Sequence, residues 1–286
     1  MRRTIMYYPN IEIPDGVWLK TALLYWDEVS SIVPRGMERA LYLSSKPIAQ
    51  LAGEGEYRPF YPDELMDSIY YRDFETECIS KIKRHINVGS KRRKGNRIIS
   101  ETMTERKRLS DTYNIHIDKM SDRISEVLLN ELRVISLDEN WMIFDETLGD
   151  IYMSTLAKYS ALSDVNFTVI GTDKIKEINR LYPLNYALKK QINSGRTPII
   201  NLSLNILPTP APDVPYEKII QFKRKYKENL IEFRKKINDF EEQISNSESE
   251  YDYKEKIIRF NETIQLEAKE TMKMLKGHRI NFFYPH

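Results

Sequence analysis

Apolar residues recur along this chain in two rhythms, one near every second position and one near every third or fourth. Each rhythm predicts a different element. Thr4 to Ile13 is rich in β-branched and aromatic residues and reads as a strand, interrupted by Pro9. After Asp15, a possible cap, Val17 to Val33 reads as a helix. Trp18, Ala22, Tyr25, Trp26, Val29 and Val33 make one stripe, and Pro34 and Gly36 stop it. Residues 44–62 carry Pro47, Gly53, Gly55, Pro59 and Pro62 and read as a loop. Pro62, Asp63 and Glu64 then open a helix expected to run to about His85, before Gly89. Tyr113 to Asp118 alternates strictly and predicts a half-buried strand. A helix follows over 121–133, a short strand over Trp141 to Phe144, and a helix over Glu146 to Leu162. The strongest strand signal is Asn166 to Gly171, closed by Thr172 and Asp173. Helical pieces are expected from Lys174 to Leu181 and from Leu184 to Asn193.

The pattern changes at Leu207 to Pro215, where prolines at 208, 210, 212 and 215 favour an extended connector. Beyond it Ile219, Tyr226, Leu230, Phe233, Ile237, Phe240 and Ile244 recur at helical spacing after an initial seven-residue step. Tyr253, Ile257, Phe260, Ile264, Ala268 and Leu275 resume the rhythm past the polar stretch Ser245 to Ser249. Two helices joined by a turn predict an antiparallel helical hairpin. Gly277 is a candidate cap, and RINFFY, Arg279 to Tyr284, reads as a final strand. It and the N-terminal strand are expected to share one sheet. The expected organisation is therefore a helix-dominated α/β body over 1–206 with a small mixed sheet, a connector over 207–215, a hairpin over 216–276, and a tail over 277–286.

Composition narrows the functional classes. The chain has 286 residues, 41% hydrophobic and 30% charged, with a formal net charge of +2. That mix supports a buried core and excludes a polycation or a wholly disordered chain. A single cysteine, Cys78, leaves no internal disulfide and no cysteine-rich zinc module, and its apolar neighbours mark it as a structural thiol. No run approaches the ~18 apolar residues of a spanning helix, and no secretory leader is evident. The expected setting is cytoplasmic. Charge is unevenly spread, with eleven basic and two acidic residues between Lys81 and Arg108. Its densest part, Lys91, Arg92, Arg93, Lys94 and Arg97, reads as a solvated loop able to grip a phosphate backbone, without aromatics for base stacking. The hairpin is balanced, with 14 basic and 13 acidic residues over 216–276.

Glycine-rich phosphate loops, G-x-G-x-x-G, G-x-S-x-G and H-E-x-x-H are all missing. No cofactor is implied. One acidic set remains. His116 and Asp118 are expected on one strand face, Asp145 and Asp150 at a strand-to-helix junction with Glu146, and Asp173 at a strand end. Such acids could hold Mg²⁺ or Mn²⁺ for phosphodiester hydrolysis if they converged; taken singly, Asp145, Glu146 and Asp173 are also ordinary helix caps. On the hairpin, the large residues Tyr226, Phe233, Phe240 and Phe260 are candidates for a partner-binding ridge.

Three segments resemble a prokaryotic family of unknown function. They are YYPNIEI with WLKTALLYWDEVSSIVP (residues 7–34), IYMSTLAKYSAL with the later TD (151–162 and 172–173), and LPTPAPDVPYEKIIQFKRKYKENLIEFRKKI (207–237). The resemblance implies no activity and no catalytic residue. Analogy with other prokaryotic families of this kind adds an expected link to antiviral defence. The first functional expectation is an interaction or assembly subunit, self-associating or docking a protein partner through the hairpin, with the basic loop on nucleic acid. The alternative is a metal-dependent, nuclease-like hydrolase.

Overall fold

The computed structural model describes residues 2–93, 112–131, 135–138, 140–173, 207–245 and 249–283. In chain order the elements are β1 (Arg3–Tyr7), α1 (Val17–Tyr25), β2 (Glu28–Ile32), α2 (Glu38–Ser44), α3 (Lys46–Gly53), β3 (Tyr57–Phe60), α4 (Pro62–Met66) and α5 (Tyr71–Arg93). They continue with β4 (Thr112–His116), α6 (Asp122–Glu131), β5 (Ile135–Asp138), β6 (Trp141–Asp145), α7 (Glu146–Ser163) and β7 (Phe167–Gly171). The last are β8 (Thr209–Pro210), α8 (Tyr216–Lys225), α9 (Lys227–Ser245), α10 (Glu250–Gly277) and β9 (Phe282–Phe283). The architecture is the expected helix-dominated α/β. Its division is different: one compact unit comprises Met1–Ser31, Arg39–Pro59 and Asp164–His286, and the other comprises Ile32–Glu38 and Phe60–Ser163.

The first unit is built on a parallel sheet of order β3-β2-β1-β7. β1 pairs in parallel with β2, Ile5 opposite Val29, and with β7, Ile5 opposite Val169. The Val29 N–H donates to Glu56 O and the Val33 N–H to Phe60 O, both at 2.9 Å, so β3 also runs parallel to β2. β2 was hidden in the predicted helix Val17 to Val33. The helix stops at Tyr25 because Trp26 leaves the helical region (φ −107°, ψ 156°) and Val29, Ser30, Ser31 and Ile32 suit an extended strand buried on both faces. The Asp27 carboxylate fixes the change by accepting the Arg3 N–H at 3.0 Å. The expected loop over 44–62 holds the end of α2, α3 and β3, since Pro47 sits in the first turn of α3, where a proline N–H is not needed.

Charges close the amino ends of these strands. Glu28 and Asp164 are both buried, and Arg58 serves both, reaching Glu28 Oε2 at 3.2 Å and the two Asp164 oxygens at 2.8 and 2.7 Å. Thr4 and Asn166 add donors to Glu28, and Thr168 adds one to Asp164.

The proline-rich segment 207–215 is no free connector. Leu207 and Thr209 are fully buried, the Tyr25 hydroxyl donates to Pro208 O at 3.0 Å, and β8 pairs antiparallel with β9. Of RINFFY only Phe282–Phe283 form a strand among the described residues, and it pairs with β8 and not in the sheet of β1. The first long helix is broken at Tyr226 (φ −107°, ψ 30°) into α8 and α9, at the seven-residue step in its apolar rhythm. Lys223 pairs with Glu56 and Arg234 with Asp27, and Phe233 lies against Tyr25, centroids 5.1 Å apart. Burial pulls the Lys223 and Arg234 charges below their ordinary pKa, and these carboxylates hold them up. Ser249 caps α10 by accepting the Asp252 N–H, and α10 contacts α9. The helix closes past Gly277, on Arg279 at φ 56°, with the Ile280 N–H donating to Leu275 O.

In the second unit α7 is packed by α4, α5, β4 and β6, and α6 packs on α5. Phe74 sets its ring edge against Tyr152 and Tyr159, each 6.0 Å away. An antiparallel sheet of order β4-β6-β5 lies here, β5 being unforeseen. β4 ends at His116, and Ile117–Lys119 turn as a 3-10 helix instead of prolonging the strand to Asp118. The helix predicted from Pro62 is interrupted between Met66 and Tyr71 and then passes Gly89 to Arg93. The helical pieces expected over 174–193 lie outside the described residues.

Arg58→Met leaves two buried carboxylates without their shared cation. It is expected to lower stability by about 3–5 kcal/mol, read as a shifted urea midpoint. An unchanged midpoint would contradict the role given to Arg58.

Candidate functional site

Strand order singles out one place in the first unit. From β1 the chain steps outward through β2 to β3, then returns to the other side of β1 as β7. The order reverses between β1 and β7, and the carboxyl ends flanking such a reversal are where open α/β sheets place ligands. Tyr7 ends β1 and donates its hydroxyl to Asp173 Oδ1 at 2.8 Å, just past β7. Trp18 of α1 meets the Tyr7 ring edge-on at 4.9 Å. The Tyr8 N–H donates to Gly171 O. Gly171 is required by close approach, since a Cβ there would come within 2.6 Å of Ile5 Cδ1 and 2.9 Å of Trp18 Cζ2. Tyr7 is buried and Asp173 is exposed, so the carboxylate presents a fixed edge to solvent. Gly171→Ala is expected to destabilise by about 1–3 kcal/mol through overpacking, measured by denaturant melts.

The other predicted acids lie in the second unit and are not gathered into one site. His116 sits opposite Trp141 in the β4–β6 ladder, and Asp145 sits opposite Thr112. Four residues of strand separate the two positions by roughly 13 Å, too far for one metal centre. Asp118 turns back on His116, its N–H donating to Nδ1 at 3.3 Å and its carboxylate lying 3.5 Å from that nitrogen. Asp145 and Glu146 do form the expected β6–α7 junction, with half-buried Asp150 one turn on. Among the described residues no three His, Cys, Asp or Glu side chains group as a metal site.

Sequence patterns did not reveal the buried charges of this unit. Lys158, central in the apolar run of α7, pairs with Glu77. Glu77 also accepts from the Tyr159 hydroxyl at 2.7 Å and lies 2.5 Å from Lys81. Burial raises the Glu77 pKa, but Lys81 and Lys158 outweigh it and hold the carboxyl below its usual range. Burial pushes Lys158 down to about 8. Lys119, with no carboxylate against it among the described residues, is pushed down to about 7. Cys78 is fully buried and its thiol is pushed up, as a structural thiol requires. The charged form of Lys119 is penalised only in the folded chain, so the unfolded chain binds more protons from about pH 7 toward the ordinary lysine value, and stability rises with pH across that window. Lys119→Met is expected to raise the melting temperature near pH 6 and to flatten its rise toward pH 9, followed by circular dichroism. Equal slopes for both proteins would contradict the assignment.

Of the basic segment, Lys91, Arg92 and Arg93 belong to the last turn of α5 and not to a loop; Lys94 and Arg97 lie outside the described residues. The proposed partner ridge is largely used within the chain. Phe233 is buried on Tyr25, and Tyr226 packs between Phe222 at 4.7 Å and His278 at 6.2 Å. Phe260 is half-buried, and the Phe240 side chain lies outside what is described. A different apolar set is exposed on α10: Tyr251 at 77%, Ile258 at 59% and Leu266 at 63%. Spaced by seven and eight, the three fall within an arc of about 80° at 100° per residue. Thr271 and Leu275, both buried, lie on the opposite side of the helix. The signal was available as the apolar residues that the Tyr253-to-Leu275 stripe leaves out.

Parts of the segments that carry the family resemblance meet in the first unit, while residues 151–162 belong to the second unit. Tyr7 and Trp18 of the first segment join Asp173 of the second segment, while Tyr25 and Asp27 of the first join Pro208, Phe233 and Arg234 of the third. No curated protein and no solved structure matches the chain. A family model described as a family of unknown function, DUF6236, matches residues 101–285, and the chain belongs to that family.

Proposed function

We propose that the chain is a cytoplasmic assembly subunit that docks protein through the outer face of α10. The observation that supports this is the exposed set of Tyr251, Ile258 and Leu266 on a helix that buries Thr271 and Leu275 on its other side, near its C-terminal end. Isolated apolar residues on a surface need no explanation, but an aligned set of large ones is typical of contact surfaces. No helix among the described residues is long and apolar enough to cross a membrane. The basic run from Lys91 to Arg97, opening on the last turn of α5, is the part of this subunit that would contact phosphates. A role in a prokaryotic defence assembly is compatible with both features. Ile258→Glu is expected to abolish the association while changing stability by less than about 0.5 kcal/mol, as for an exposed site. Light scattering and co-purification from the native host read the first, and thermal melts the second. Association that survives this substitution would refute the docking face.

A second reading is favoured by the Tyr7–Asp173 pair at the strand-order reversal. There Asp173 would hold a divalent cation, Mg²⁺ or Mn²⁺, or a polar ligand for hydrolysis. Mn²⁺ is then expected to raise the melting temperature of the intact chain, and Asp173→Asn to cancel the rise. No shift with the unaltered chain would remove this reading.

A further inference from the structure

Resting on the phosphate-contacting part of the proposed reading, we infer that the C-terminal half of α5 is a duplex-binding helix whose partner is B-form DNA, entered through the major groove. Residues 79–93 of α5 hold six bases, Lys81, Lys83, Arg84, Lys91, Arg92 and Arg93, and no acid. α10, in contrast, interleaves acids and bases along its length. A helix dipole favours cations in the last turn only. Lys81, Lys83 and Arg84 stand more than two turns before Arg93, so the dipole does not account for them. Register places the bases as well. At 100° per residue Ser80, Lys83, Arg84, Asn87 and Lys91 fall within an arc of about 100°. Cys78 and Ile82, both buried, lie on the opposite side of the helix, and Lys83 and Arg84 are exposed.

The acids of α5, Asp73, Glu75 and Glu77, all precede this stretch. Glu77 is the nearest to it and is held by Lys81 and by Lys158 of α7, while Glu75 lies 3.7 Å from Arg123 of α6. Asp73 stands roughly 10 Å along the axis before Ser80. The face is therefore cationic over roughly 16 Å, from Ser80 to Lys91. That charge selects a polyanion, and the helical backbone selects its form. The major groove of B-DNA, about 12 Å wide, admits an α-helix with its side chains. The major groove of an RNA duplex is too narrow for side chains to read. A single strand is held largely by stacking on aromatic rings, and residues 75–93 contain no Phe, Tyr or Trp. Arg84, near the middle of the stretch, is the residue placed to meet a guanine edge, with Lys83 and Lys91 on phosphates to either side.

Fluorescence anisotropy of the intact chain with a short labelled DNA duplex, the RNA duplex of the same sequence and the DNA single strand tests the partner. The DNA duplex is expected to bind at least about tenfold more tightly than the other two. Lys81 being held by Glu77, the five remaining bases predict a slope of about −4.5 for log affinity against log salt. Arg84→Ala is expected to weaken binding about tenfold, and Arg84→Lys to keep the salt slope while losing part of the affinity, because it keeps the charge but not the planar fork. Arg72→Ala, an exposed base in the first turn of the same helix, is expected to change nothing. Dimethyl sulfate treatment of the bound duplex is expected to show guanine N7, in the major groove, protected and adenine N3, in the minor groove, still reactive. Protection of adenine N3 in place of guanine N7 would overturn the inference. Equal affinity for all three nucleic acids, lost when Lys91, Arg92 and Arg93 are changed to Ala but kept in Arg84→Ala, would overturn it and leave the phosphate contact standing. No binding to any of the three at low salt would remove both. None of these measurements involves α10, whose docking role stands or falls separately.

Discussion

Two carboxylates share one guanidinium at the base of the parallel sheet. Glu28 opens β2, Asp164 precedes β7 and Arg58 lies in β3, so the three groups tie together strands far apart in sequence. Both carboxylates are buried, and a buried charge without a partner is far more costly than an apolar residue in its place. The sheet can therefore close only with β3 and β7 both present. Strand order follows, and with it the position of Asp173 beside Tyr7 at the other end of the strands.

The same constraint operates where the C-terminal helices meet the sheet. Lys223 and Arg234 are buried cations, compensated by Glu56 and Asp27. Between them Phe233 packs on Tyr25, so α8 and α9 spend their apolar and basic residues on the first unit. α10 contributes Thr271 and Leu275 to burial, while the aligned residues on its other side remain exposed. Docking of α8 and α9 thus decides which of the described residues of these helices are buried within the chain and which stay exposed.

Local pattern was enough wherever one residue class dominated a segment. β1, β7, α6 and α7 follow from runs of β-branched or helix-forming residues bounded by clear stop signals. It misled where propensity was ambiguous. Val29, Ser30, Ser31 and Ile32 continue a helical stripe on paper and become a strand only because β1 and β3 offer backbone partners on both sides. In the same way Asp118 alternates in phase with His116, but the backbone turns before reaching it. Asp173 was legible as a strand-end carboxylate. Its partner Tyr7, 166 residues away, was not, because nothing in either segment encodes the adjacency of β1 and β7.

The amino-acid sequence by itself determined the helix-dominated α/β class, most element positions, the inert cysteine and the family resemblance, because these depend on interactions among near neighbours and on local composition. Tertiary structure alone decided that Leu207 to Pro215 is packed, that Phe233 is core, that His116 and Asp145 stand at opposite ends of a ladder, and that Lys119 is buried. Those outcomes depend on which distant surfaces exclude water from one another, and spacing along the chain carries no record of that.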